Sequence, residues 1–376
     1  MTSHSRPYAF RAMRVVGCWV GVWMAALGVQ LAAAASLTWN GGTSTWGDGT
    51  AVGWNGPAPV PGDIACVYSG TATCDHKDQV KGLFLIIGTN GTVACNEMNY
   101  MGQPALLTFS GGGALALVRN AHYNNYGALL LPATVWVTGR HWQPALIEAR
   151  GATEHNFINL PATATLQVYD LTGDAKPDLR IAAPLADGAD LGQGTTWVPA
   201  SLVKDGPGTL ELAAANAYSG TTTVRAGALL VRGSLGAGGV TVASGATLCG
   251  DGTIGGEVVS DGIVGPGDGA GRLSIQKRYT QNAGGTLEVD ILGTTPASGY
   301  DVLAASGAVA LGGTLTVRTR GYAPVAGDRF TILTGAEVTG AFAATNLPVL
   351  APGLSWEVKL TPTAVTLLVS AATAGQ

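Results

Sequence analysis

The sequence predicts an all-β chain of stacked short-strand coils, and three observations predict it. Runs in which apolar and polar residues alternate recur along the chain, as at Thr209–Leu212, Thr221–Val224 and Ala228–Val231, each bracketed by glycine, asparagine or serine. A period of two is the strand signal, and the small residues mark turns. A glycine followed by an apolar–x–apolar strand occurs at Gly208-Thr-Leu-Glu-Leu212 and again at Gly227-Ala-Leu-Leu-Val231, with a weaker echo at Gly245. A repeat of roughly 20 residues holding two or three strands marks an array in which each unit buries its apolar face against the next. Composition agrees: 56 of 376 residues are glycine and 12% are charged, against about 7% and about 25% in ordinary domains. Tight corners need the first, and a long dry core suits the second.

Leu202–Val242 holds the best copy. It reads Leu202-Val-Lys204-Asp-Gly-Pro-Gly208-Thr-Leu-Glu-Leu212, then Asn216-Ala-Tyr218-Ser-Gly-Thr-Thr-Thr-Val224, then Gly227-Ala-Leu-Leu-Val231. This succession resembles the autotransporter-associated β-strand repeat, K-x-G-x-G-T-L-x-L…N-x-Y-x-G-x-T-x-V…G-x-L-x-V. The resemblance implies a right-handed parallel β-solenoid in a secreted or surface-displayed bacterial protein. Further on come Tyr300-Asp-Val-Leu303, Gly312-Gly-Thr-Leu315, Gly327-Asp-Arg-Phe-Thr-Ile-Leu333 and Gly353-Leu-Ser-Trp356. Their order is similar to the C-terminal part of autotransporter passenger domains, which implies a less regular strand section there.

Four segments follow from these signals. Residues 1–35 read as a signal peptide: Arg6, Arg11 and Arg14 precede the apolar run Val15–Leu31, and Ala33-Ala-Ala35 gives a small-residue cleavage site before Ser36. Residues 36–70 carry Trp39, Trp46 and Trp54 among glycines and read as an N-terminal cap over the first open sheet edge. The alternative for these tryptophans is a sugar-stacking surface. Residues 71–259 read as the solenoid, with the repeat at 202–242. Residues 260–376 read as the passenger-like C-terminal section. Its last residues add no alternating strands of the kind a membrane barrel needs, so outer-membrane crossing is expected to depend on another machine.

Charge and cysteine usage narrow the function classes. A formal net charge of −4 without any basic run argues against nucleic acid. After signal removal no membrane span is expected, and a capped monomer in the periplasm, in the medium or at the cell surface is. Export favours disulfides over a metal site for Cys66, Cys74, Cys95 and Cys249. Cys66 and Cys74 flank a turn expected at Ser69–Thr73, and the pairing stays open.

Two constellations are candidates for metal. In Asp170-Leu-Thr172-Gly-Asp174-Ala-Lys-Pro-Asp178, oxygens at loop positions 1, 3, 5 and 9 suit calcium. The loop resembles D-x-N-G-D-G-x-x-D calcium loops, departing at Thr172 and Ala175. His122, His141 and His155, with Glu154, recur near the solenoid period, though spacing alone gives no convergence.

No G-x-S-x-G elbow, H-E-x-x-H helix or P-loop occurs. The acidic residues look scattered, and Asp251, Asp261 and Asp268 sit beside glycines as turn formers. No catalytic residue or resident cofactor is therefore expected. The sequence reads as a non-enzymatic structural or adhesive solenoid whose partner is a surface polysaccharide or protein. The alternative is a carbohydrate-binding or lyase-like solenoid. A cleft holding three or more carboxylates with basic groups would favour that alternative.

Overall fold

A computed structural model gives the fold. It describes residues 36–39, 41–45, 54–55, 58–74, 82–96, 103–119, 129–150, 157–189 and 197–372. The signal-peptide reading, Trp46, His122, Glu154 and His155 lie outside the described residues. Among those described there is no helix, and the chain from Ser36 onward winds as a parallel β-solenoid.

Each coil lays strands on successive faces. The first face runs from Ser36–Thr38 through Leu106–Ser110, Ser201–Asp205, Thr222–Val224 and Val240–Val242 to Glu337–Gly340, every neighbour parallel. The second runs from Thr43–Thr45 through Leu179–Ile181, Thr209–Leu212, Ala228–Val231, Thr247–Gly250 and Thr286–Ile291 to Ala344–Asn346. Shorter strands make a third face, including Ser234–Leu235, Thr253–Ile254 and Arg272–Ile275. Parallel pairing follows from the winding, because a chain that advances one coil per turn meets itself in the same direction.

In-register stacking explains the repeat. Leu179, Leu210, Leu229 and Leu248 are consecutive partners across four coils, and Val264, Leu287 and Leu315 continue the row. All seven are fully buried. Leu210, Leu212, Val224, Leu229, Val231, Val240 and Val242, the positions that alternation assigns to the core, are all buried. The repeat glycines serve close approach between coils. A Cβ at Gly208 would lie 2.6 Å from both the Tyr169 carbonyl oxygen and Asp178 Oδ2, and one at Gly227, whose φ is +64°, 2.4 Å from the Gly208 carbonyl oxygen.

Buried polar residues of the repeat close its corners. Lys204 Nζ donates to the carbonyls of Asp205, Gly206 and Ala226 at 3.1, 2.7 and 2.9 Å. Burial pushes its pKa down to about 8, against the nearby carboxylates of Asp205 and Asp178. Three carbonyl acceptors match the three N–H bonds of the charged form, which keeps the ammonium satisfied. Lys204, Val224, Val242, Ser260 and Gln281 share one register row. Gln281 Nε2 likewise reaches the carbonyls of Gly285, Gly312 and Thr314 further along that row.

Asn216, expected to serve a turn, joins three coils. Its Oδ1 accepts from the Leu185 N–H at 3.1 Å, and its Nδ2 donates to the carbonyls of Ala214 and Ser234, each at 2.9 Å. Tyr218, expected to be partly buried, is 1% exposed. Its hydroxyl meets Thr222 Oγ1 at 2.7 Å inside the stack, which removes the need for a wet end.

The two ends differ from the middle. Trp39 and Trp54 are buried, with ring centroids 5.3 Å apart at 77°, at the N-terminal end of the described stack. Buried rings offer no sugar-stacking surface. At the other end Leu354–Thr361 and Ala364–Ala371 form an antiparallel hairpin on Arg329–Thr334. Phe330 anchors it between Tyr300 and Trp356, at 5.3 and 6.1 Å between centroids.

One local expectation is corrected. No turn separates Cys66 from Cys74: Ile64–Cys74 is a single strand with a register shift between Val67 and Ser69. Its first part pairs with Ser36–Thr38 and its second with Thr43–Thr45. The glycine signal at Gly70 marks a corner between faces, so the two cysteines sit on different faces.

Candidate functional site

The candidate site is a groove of about 240 Å³ on the outside of the second face. Alternation sends Leu, Val and Ile inward and leaves Leu230, Cys249, Gly265 and Glu288 among its outer residues. Cys249 and Gly265 are register partners, and their small side chains leave the hollow. Thr209, Thr247 and Ile263 complete its floor, and the Pro266–Gly269 turn, Asp290, Asp301 and Arg320 wall it.

Stacking also gathers the charges. Acidic residues that look scattered in sequence converge here, which corrects that reading. The cause is register: residues 20 to 40 apart along the chain become neighbours when coils stack. Arg232 spans Glu211 at 3.6 Å, Asp251 at 3.6 Å and Asp268 at 2.7 Å. Arg180 approaches the buried Glu211 from the other side at 3.7 Å. Arg318 pairs with Glu288, and Arg320 Nε meets Asp290 Oδ2 at 2.7 Å. Such a network holds long side chains in place more than it adds stability, since exposed pairs are worth about 0–1 kcal/mol each.

Asp301 is the most perturbed carboxyl of the groove. Burial pushes its pKa up to about 8, assisted by the Asp290 charge; the N–H groups of Asp290 and Gly271 and the Arg320 charge pull the other way. Those two N–H groups donate to its oxygens at 2.7 and 2.8 Å. Asp290 Oδ1 beside it is buried without a partner. Two neighbouring carboxyls in such different environments are the pattern found where acid–base work is done, and also in structural networks.

This raised pKa has a pH consequence. The folded chain holds a proton on Asp301 that the unfolded chain releases near pH 4. Its contribution to stability is therefore full below about pH 4 and is lost as pH climbs to about 8. Thermal midpoints are expected to fall over that window in the wild type, with a shallower fall in Asp301→Asn. Parallel pH profiles for the two proteins would remove Asp301 as the cause.

Cys249 is no nucleophile. Burial pushes its thiol up to about 12, with Asp268 adding to the effect, and an attacking sulfur needs the opposite shift.

The calcium-loop residues are used otherwise. Asp178 is buried. Its Oδ1 accepts from the Leu171 and Thr172 N–H groups and the Thr172 hydroxyl at 2.7, 2.9 and 3.1 Å, and its Oδ2 from the Thr209 N–H at 2.7 Å. Asp170 accepts from the Gly173 N–H, while Asp174 accepts from the Lys176 N–H and pairs with Nζ of Lys176. The structure thus brings Thr172 to Asp178 and turns Asp170 and Asp174 to separate donors. Among the described residues no three His, Cys, Asp or Glu side chains are grouped to hold a metal. Of the three spaced histidines, only His141 is described; its Nδ1 meets the Gln143 N–H at 3.2 Å. Beside it Trp142 is 75% exposed, the large aromatic most open to solvent among the described residues.

The repeat itself decides the relationship. Residues 202–231 match the passenger-associated-transport-repeat. That segment carries the repeat named for passenger transport. The chain is 33% identical over 156 residues to an extracellular serine protease of Serratia marcescens, a match covering 39% of this chain and 14% of that protein. It is 46% identical over 71 residues to the BmaC autotransporter adhesin of Brucella suis, covering 18% of this chain and 2% of that protein. The chain thus spans only a small part of the length of either relative. One of these relatives is named as extracellular and the other as an autotransporter adhesin.

Proposed function

We propose that this repeat protein works outside the cytoplasm as a non-enzymatic adhesive or structural β-solenoid. The observation that carries the reading is how the repeat is used: Lys204, Gly208, Asn216, Tyr218 and Gly227 all close corners or fill the core. Its signature residues are scaffold, which leaves the outer faces to meet a partner. The adhesin of Brucella suis favours attachment as the role. The partner class is a surface polysaccharide or protein, and the capped solenoid acts as a monomer. No resident cofactor takes part.

A second reading has a specific observation in its favour. The groove with Asp268, Glu288, Asp290, Asp301 and Arg320 holds three carboxylates and the protonated Asp301 with a basic group, the feature that points to carbohydrate binding or cleavage. A volume of about 240 Å³ lies below the ~300–1,000 Å³ of drug-sized pockets, so it would enclose about one sugar unit.

One experiment separates the two. Purified protein is applied to a glycan and extracellular-protein array, and bound glycans are then weighed by mass spectrometry. The adhesive reading predicts retained, intact ligand. Shortened glycans, lost in Glu288→Gln, would overturn it for the enzymatic reading.

A further inference from the structure

We infer that Cys74 and Cys95 form a disulfide linking two successive coils at the N-terminal end of the solenoid. Cys74 closes Ile64–Cys74, Cys95 lies near the end of Phe84–Asn96, and the two are register partners in parallel strands. In the structure both are buried thiols that point into the same core, as do their strand neighbours Ala72 and Val93, also partners. Neighbouring strands lie about 4.7–4.9 Å apart, inside the roughly 4.4–6.8 Å between Cα atoms that a disulfide spans.

Among the described residues, neither of the other two cysteines faces a cysteine in register. Cys66 is in register with Thr38 and Ile86, and Cys249 with Leu230 and Gly265. The alternative 66–74 bond would have to join two faces along one strand. Thus 74–95 is the pairing that register permits among the described residues.

The step is a two-electron oxidation. Each thiol gives up a proton and together they give up two electrons to a disulfide oxidant, which is reduced to two thiols as the new S–S bond forms. Because both sulfurs are buried, the oxidant must act while the second coil is closing over the first. The bond would tie together the two coils that follow the terminal Ser36–Thr45 coil, close to the end from which a solenoid frays. Its formation in the cell rests on the export proposed above, since cytosolic thiols stay reduced; its geometry does not.

The test refolds the full chain from denaturant in a glutathione redox buffer and maps it by non-reducing peptide mass spectrometry. The expected product is one linked peptide pair, 74 with 95, two hydrogens lighter than the reduced pair, with Cys66 and Cys249 recovered as thiols. The oxidised protein should melt several degrees above the reduced protein, a difference that vanishes in Cys95→Ala. Thiols at 74 and 95 in the refolded protein, or a 66–74 link, would overturn the inference. Should the bond form in the buffer while protein recovered from cells carries it reduced, the pairing stands and the export reading fails.

Discussion

Leu229→Asp is expected to abolish folding of the central coils. Leu229 is fully buried between its partners Leu210 and Leu248. Truncating such a residue to alanine costs about 2–5 kcal/mol. Placing a carboxylate there adds the cost of burying an unpaired charge, so the sum exceeds about 5 kcal/mol and rivals the whole stability of an ordinary domain. The variant should be recovered as aggregate, or with residues around 202–260 open to protease. Thr241→Asp is the control, because Thr241 is the exposed middle residue of Val240–Val242, and surface changes usually stay within about 0.5 kcal/mol. Equal damage from both would mean that stability here is not set by the inner row.

Asn216→Ala should cost about 1–3 kcal/mol, more than a typical surface loop residue does. The two carbonyls that Asn216 caps keep backbone partners: Ser234 O still accepts from the Asn216 N–H, and Ala214 O from the Ser234 N–H. The Leu185 N–H loses its acceptor and is left buried, which carries the full desolvation penalty of about 1–3 kcal/mol. Hydrogen exchange should therefore quicken first at Leu185. Asn216→Asp keeps the acceptor but turns an oxygen in place of an N–H donor toward the Ala214 and Ser234 carbonyls, so it should destabilise as well while leaving exchange at Leu185 slow. If both variants melt with the wild type and exchange at Leu185 is unchanged, the three-coil junction contributes nothing.

The fold was legible because stacking gives like positions like surroundings. Leu210 and Leu229 repeat in sequence because they are partners in space, and the glycines before them repeat because both corners leave no room for a Cβ. The groove was not legible, for the same reason turned outward. Glu211, Arg232, Asp268, Glu288 and Arg318 occupy outer or turn positions, where alternation predicts only solvent. Their convergence is a matter of register, which a strand pattern does not state until coil lengths are known. A clue lay in their signs: bases at 232, 318 and 320 fall about one or two coils from acids at 211, 268, 288 and 290. In the Asp170–Asp178 loop, spacing and hydrogen bonding point to different uses. Its spacing suits a cation, but Asp178 is occupied by four donors, one of them the Thr209 N–H of the next coil. Likewise Gly70 signalled a turn, and a corner inside one strand uses the same φ of +71°.

The proposed function requires that this solenoid leave the cytoplasm as a passenger-like protein. Cell fractionation with N-terminal sequencing of the recovered chain tests it most directly. The expected result is a protein in the periplasm, in the medium or exposed on intact cells, beginning at or near Ser36. Recovery from the cytosol with residues 1–35 still attached would contradict it.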